Sequence, residues 1–151
     1  MKKINKIDKR ISKEEYFMRL ADVVAERATC PRKKIGAVLV RDGMIVSTGY
    51  NGAPRGIEHC SDKAGCRMAN GHCVRTVHAE VNAVIQAAYH GAATKDSTMY
   101  TQVLPCEHCA KVLINAGVKR IVYSGIYENA DNEYTEKILK KAGVKFELLS
   151  E

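Results

Sequence analysis

Tryptophan is absent from this chain, phenylalanine occurs twice and proline three times. Aromatic residues make up 6% of the sequence, which leaves little for the stacking platforms that hold single-stranded nucleic acid. No apolar run approaches the roughly 20 residues that cross a bilayer as a helix. The basic start MKKINKIDKR has no apolar segment behind it, so a cytoplasmic location is expected rather than a secretory signal. There is no internal repeat or low-complexity segment, and nothing marks a second domain. A single domain is expected over residues 1–151, long enough to bury a core, with a basic tail over 1–11 and a long functional loop over 51–76.

What the chain does carry is positive charge and sulfur. Its 24 Lys and Arg against 17 Asp and Glu leave a formal charge of +7. That suits an anionic ligand, whether nucleotide or polynucleotide. Much of the excess sits in Lys2, Lys3, Lys6, Lys9 and Arg10, where it fits a solvated tail equally well. Six cysteines accompany five histidines. In a reducing compartment, clustered Cys and His favour metal over disulfides.

Two short motifs concentrate that chemistry: His78-Ala79-Glu80 and Pro105-Cys106-Glu107-His108-Cys109. One imidazole and two thiolates hold zinc on three sides and leave the fourth position to water, the pattern of a catalytic zinc. Water so bound has a pKa near 7. Residues i and i+2 of a helix point about 200° apart, so His78 and Glu80 share a metal only at a helix start. Cys106 and Cys109, at i and i+3, share one face of a second helix, with Pro105 in its first turn and Gly117 at its end. The positive ends of two helices would then favour thiolate at the metal. A lone Cys-x-x-Cys fits a redox pair and a lone His-x-Glu fits anything. Together, each opening a helix with a strand between, they are far more specific.

The remaining pattern predicts where those helices sit. Residues 12–28 read as a helix with a Ser12–Glu15 capping box and an apolar stripe of Tyr16, Phe17, Leu20, Ala21, Val24 and Ala28. Strands are expected at 35–41 and 44–50, joined by the hairpin pair Asp42-Gly43. Residues 51–76 read as irregular. A helix over 79–90 follows, with Val81, Val84, Ile85 and Ala88 as its stripe and Gly91 as its stop. Then come a strand at 98–102, the cysteine helix to 116, a strand at 120–124, a helix at 131–142 between Asp131 and Gly143, and a strand at 144–149. The order α-β-β-α-β-α-β-α-β predicts an α/β fold: a three-layer α/β/α sandwich on a mixed five-stranded sheet, the last two strands parallel.

His78-Ala79-Glu80 with Pro105-Cys106-x-x-Cys109 resembles the zinc-dependent cytidine and deoxycytidylate deaminase superfamily. Gly49-Tyr50-Asn51-Gly52, Pro54-Arg55-Gly56, Cys73-x-Arg75-Thr76 and Asn82-Ala83 resemble its deoxycytidylate branch, and the likeness runs from Tyr16 to Leu148. The strand-helix-strand ending is unlike the hairpin of free-nucleoside deaminases, and the chain is expected to lack the longer C-terminal tail of some relatives. The resemblance implies hydrolytic deamination of dCMP to dUMP and ammonia in dTMP-precursor supply. Zinc on His78, Cys106 and Cys109 would activate water for attack at C4, with Glu80 moving its proton to N3. Asn51 would contact the nucleotide, or else structure its loop. The Ala79 N–H and the Leu104 carbonyl would bracket the base, and Tyr127 would cover it or simply pack. The 5′-phosphate needs a guanidinium fork; Arg27 is nominated, unless it serves its helix C-terminus, with Arg55 and Arg75 as rivals. His108 is expected to face solvent and His90 to serve a helix end. Relatives are commonly hexamers activated by dCTP and inhibited by dTTP, with effector contacts expected at Tyr50, Gly52 and Arg55. Two other readings stay open: a deaminase of bases in tRNA or single strands, and a non-catalytic zinc module that binds nucleic acid.

Cys30, Cys60, Cys66 and Cys73 remain. The long loop has few apolar side chains, and ordering it costs about 1–2 kcal/mol of backbone entropy per residue. A second, structural zinc on these four cysteines would supply that ordering, with His59 and His72 as alternative donors. Buried or free thiols are the competing reading.

Overall fold

A computed structural model describes residues 10–150. Lys2, Lys3, Lys6 and Lys9 of the expected tail lie outside the described residues. The elements are α1 (Lys13–Ala25), β1 (Gly36–Arg41), β2 (Met44–Tyr50), β3 (Met68–Ala69), β4 (His72–Cys73), α2 (Ala79–Tyr89), β5 (Thr98–Thr101), α3 (Glu107–Asn115), β6 (Arg120–Tyr123), α4 (Asn132–Lys141) and β7 (Lys145–Leu148).

Asp42 and Gly43 both take positive φ, as a two-residue hairpin turn demands, and β1 and β2 pair antiparallel across them. The large sheet runs β2-β1-β5-β6-β7. β1 is antiparallel to β5, whereas β5, β6 and β7 are mutually parallel through the crossovers α3 and α4. Strand alternation then divides the core. Val38, Val40, Tyr100 and Val122 point to α1, where Phe17, Met18 and Ala21 meet them. Ala37, Leu39, Met99 and Ile121 point the other way, to Ala83 and Ala87 of α2, Leu113 of α3 and Leu139 of α4. The mixed five-stranded sandwich is therefore as expected, with α1 alone on one face.

Four local expectations are corrected. Ser12 accepts the Glu15 N–H at 3.1 Å, but the Glu15 carboxylate turns to Arg19, so only half of the capping box forms. On α1, Tyr16 is 47% exposed and Met18 is buried in its place. Residues 51–76 are not wholly irregular: Asn70 and Gly71, both at positive φ, turn the small β3–β4 hairpin. On α2 the buried face is Ala79, Glu80, Ala83 and Ala87, while Ile85 of the expected stripe is 46% exposed. The reason for the last lies in β2. A Cβ on Gly49 would sit 2.3 Å from both the Ala79 carbonyl and the Ala83 N–H. The helix backbone rests directly on the strand, and only small residues fit between them.

Candidate active site

Each metal-binding motif opens a helix. His78 is the N-cap of α2 and Cys106 the N-cap of α3, both in extended backbone. Pro105 therefore precedes the cap rather than lying in the first turn. Neither cap side chain bonds its own helix end, so both are free to face each other. Glu80 and Cys109 lie in the first turns of the same two helices.

His78 Nδ1 stands 3.5 Å from Cys106 Sγ and 3.3 Å from Cys109 Sγ. Ordinary zinc bond lengths in a tetrahedron separate a nitrogen and a sulfur ligand by about 3.6 Å. The trio fits a zinc ion and leaves a tetrahedral site one further position. Cys106 is pushed down to about 3, first by its hydrogen bond with Cys109 and then by that with His78, against the effect of burial. A sulfur so disposed is a ready thiolate ligand. Glu80 is 3% exposed, with Oε1 accepting from Thr101 Oγ1 at 3.4 Å and Oε2 3.6 Å from Cys109 Sγ. Burial raises its pKa above the usual carboxylate value, while a backbone hydrogen bond and His78 pull the other way.

His78, Glu80 and Cys106 line a cavity of about 120 Å³ together with Asn51, Ala79, Leu104 and Tyr127. Ala79 is the first helical residue, so its N–H has no carbonyl to bond within α2. Both polar ends of the Asn51 side chain are engaged: Oδ1 accepts from the Ile35 N–H at 2.8 Å, and Nδ2 donates to the Lys33 carbonyl at 2.7 Å. Asn51 thus braces the chain entering β1 while facing the cavity.

None of the three nominated arginines lines that cavity. Arg27 is exposed in the turn after α1. Arg55 lies 4.5 Å from the centre of the Tyr89 ring. Arg75 contacts Glu58 at 3.2 Å. Arg32 and Lys33 do line it, and sequence reasoning passed over them. Their one signal is the basic run Arg32-Lys33-Lys34 between α1 and β1. Tyr50, Gly52 and Arg55 come together instead in a second, open groove with Asn82, Gln86 and His90. His90 is the C-cap of α2, and His108 is 78% exposed beside Glu107.

In the long loop, one sulfur each from Cys60, Cys66 and Cys73 lies within 4.8 Å of the others. Cys60 and Cys73 are 3.6 Å apart, against about 3.8 Å for two sulfurs on a tetrahedral zinc. Burial opposes ionisation of Cys73. Hydrogen bonds from the Thr76 hydroxyl, the N–H groups of Arg75 and Thr76, and Cys60 outweigh it and bring Cys73 to about 6. Cys30 is not in this set and lines the catalytic cavity, as does His72, while His59 lines the second groove.

A mixed sheet that brings two helix starts to one metal point, beside a buried carboxylate, defines a class: the zinc-dependent hydrolytic deaminases. The profile of the "Cytidine and deoxycytidylate deaminase zinc-binding region" matches residues 11–125, and the chain belongs to that family. It is 41% identical over 138 residues to ComE operon protein 2 of Bacillus subtilis, covering 91% of this chain and 71% of that one. It is 33% identical over 141 residues to the deoxycytidylate deaminase of Saccharomyces cerevisiae, covering 89% of this chain and 44% of that longer protein. The dCMP deaminase of cyanophage S-TIM5, solved in complex with dCMP and dUMP, superposes with a TM-score of 0.80 at 28% identity, covering 93% of this chain and 99% of that one.

Proposed function

We propose that this protein hydrolyses dCMP to dUMP and ammonia, supplying the precursor of dTMP. The likeness along nearly the whole length of a dCMP deaminase supports the substrate. The single observation that carries the chemistry is Glu80, a carboxyl buried against the three zinc donors. When bound by His78, Cys106 and Cys109, zinc supplies a water of lowered pKa. Glu80 would take a proton from that water as its oxygen bonds to C4, deliver it to N3 of cytosine, and then carry the remaining hydroxyl proton to the amino group, so that the C4–N bond breaks and ammonia leaves. A carboxyl whose burial raises its pKa holds a proton more readily than an exposed one, which suits a group that accepts a proton and returns it. The Ala79 N–H and the Leu104 carbonyl bracket the base, Tyr127 covers it, and Asn51 holds the cavity wall on the sugar side.

The proposal extends to the rest of the molecule. Cys60, Cys66 and Cys73 hold a second, structural zinc. The groove of Tyr50, Gly52 and Arg55 receives dCTP as activator and dTTP as inhibitor, and the chain works as a hexamer in the cytoplasm. Among the described residues, no helix is long and apolar enough to cross a membrane.

The experiment is ammonia release from dCMP, cytidine, deoxycytidine, dCTP and an oligonucleotide, with dCMP repeated in the presence of dCTP and the sample mass read by light scattering. The expected result is dCMP as the best substrate, a rate curve shifted by dCTP and six chain masses. Faster turnover of the oligonucleotide or of free nucleosides defeats the substrate assignment. Hyperbolic curves unmoved by dCTP defeat the effector assignment.

A further inference from the structure

Thr101 is fully buried at the end of β5, the central strand of the large sheet. It stands in register with Ala37 of β1 on one side and Tyr123 of β6 on the other, so its backbone is held from both edges. Strand alternation sends its side chain to the same face as Met99, toward the core under α2 and α3. A hydroxyl is a costly choice there unless it is bonded, and valine has nearly the same shape. Among the described residues its one hydrogen-bond partner is Glu80, whose Oε1 accepts from Thr101 Oγ1 at 3.4 Å. Thr101 does not line the catalytic cavity, so it reaches the chemistry only through that carboxyl.

The two oxygens of Glu80 are therefore not equivalent. Oε1 is tied to the sheet, whereas Oε2 turns to the metal donors, 3.6 Å from Cys109 Sγ. A cysteine that ligates zinc has given up its proton, so Cys109 offers Oε2 no hydrogen bond once the metal is bound. We propose that Thr101 is a positioning residue for proton transfer: its hydroxyl fixes Oε1 and leaves Oε2, aimed at His78, Cys106 and Cys109, as the oxygen that carries the proton. This rests on the reading of Glu80 as the proton carrier. Oε1 remains an acceptor whether Oε2 is ionised or protonated, so the same bond persists as the proton comes and goes. Without it, the glutamate side chain is free to take other rotamers.

A crossed pair of variants separates this bond from packing. Thr101→Val keeps the branched shape and removes the hydroxyl, while Thr101→Ser keeps the hydroxyl and removes a methyl. Zinc content and thermal unfolding are recorded on each sample. Thr101→Val should retain zinc and lower the kcat for dCMP by about 10-fold to 100-fold, with KM changed less than about twofold. Thr101→Ser should stay within about threefold of the parent kcat. Added to Glu80→Gln, Thr101→Val should cost less than about twofold more, because the group it positions is already disabled. A Thr101→Val kcat within about threefold of the parent, an equal loss in Thr101→Ser, or a full further loss on top of Glu80→Gln overturns the assignment. Loss of zinc or of the fold in Thr101→Val overturns it too, because the role is then structural. A parent protein that does not deaminate dCMP defeats the deamination reading instead, and Thr101 is then judged from crystal structures of the zinc-loaded parent and Thr101→Val. A Glu80 side chain turned from the donors in the variant supports the positioning role, and an unmoved one overturns it.

Discussion

Glu80 is a carboxyl at 3% exposure in a protein whose other described acids are more exposed, and its side-chain partners are a hydroxyl and a sulfur. Burial disfavours the charged form, so such a group is costly unless it is used. Glu80→Gln keeps the shape and removes the proton carrier. We expect turnover to fall by about 10²–10⁴-fold while zinc content is retained, both measured on one sample. Turnover within tenfold of the parent would take Glu80 out of the mechanism. At this scale the two motifs were readable in the sequence because their spacing is local: a helix N-cap fixes where residues two and three positions on must lie. Arg32 and Lys33 were not readable, because only the packing of Asn51 against residues 33–35 brings them to the cavity rim.

Among the elements, periodicity found the helices and strands but misjudged which face α2 buries. Counting apolar residues selects Val81, Val84, Ile85 and Ala88. The close approach of Gly49 on β2 instead requires residues without bulk, and Ala79 and Ala83 supply them. Size decided what hydrophobicity could not. The same closeness fixes the start of α2, and with it His78, against the sheet. The hairpin of β3 and β4 escaped because two residues per strand are too few to show alternation, although Asn70-Gly71 was a usable turn signal. Pairing on that scale does not stabilise itself. We therefore expect the cysteine cluster to hold it: metal analysis should give two zincs per chain, falling to one in Cys60→Ser. A fully active protein with one zinc and freely titratable Cys60, Cys66 and Cys73 would end that account.

Across the whole molecule, the mixed sheet places two separate concavities on either side of one short bridge. Gly52 and Val77 exchange two backbone hydrogen bonds, at 3.2 and 2.9 Å, between the groove of Tyr50 and the cavity of His78. The α-β-β-α-β-α-β-α-β order was enough to anticipate the sheet, because crossover helices enforce parallel strands. It was silent on these cavities, which depend on loops meeting across the sheet edge. The central claim is that zinc on His78, Cys106 and Cys109 makes this fold a dCMP deaminase. The most direct measurement follows dUMP formation from dCMP on one preparation as isolated, after chelation, and after zinc is restored, with zinc per chain counted at each stage. The account predicts dUMP formation that disappears with the metal and returns with it. Formation of dUMP that persists in zinc-stripped protein, or its absence from protein with both sites filled, would contradict it.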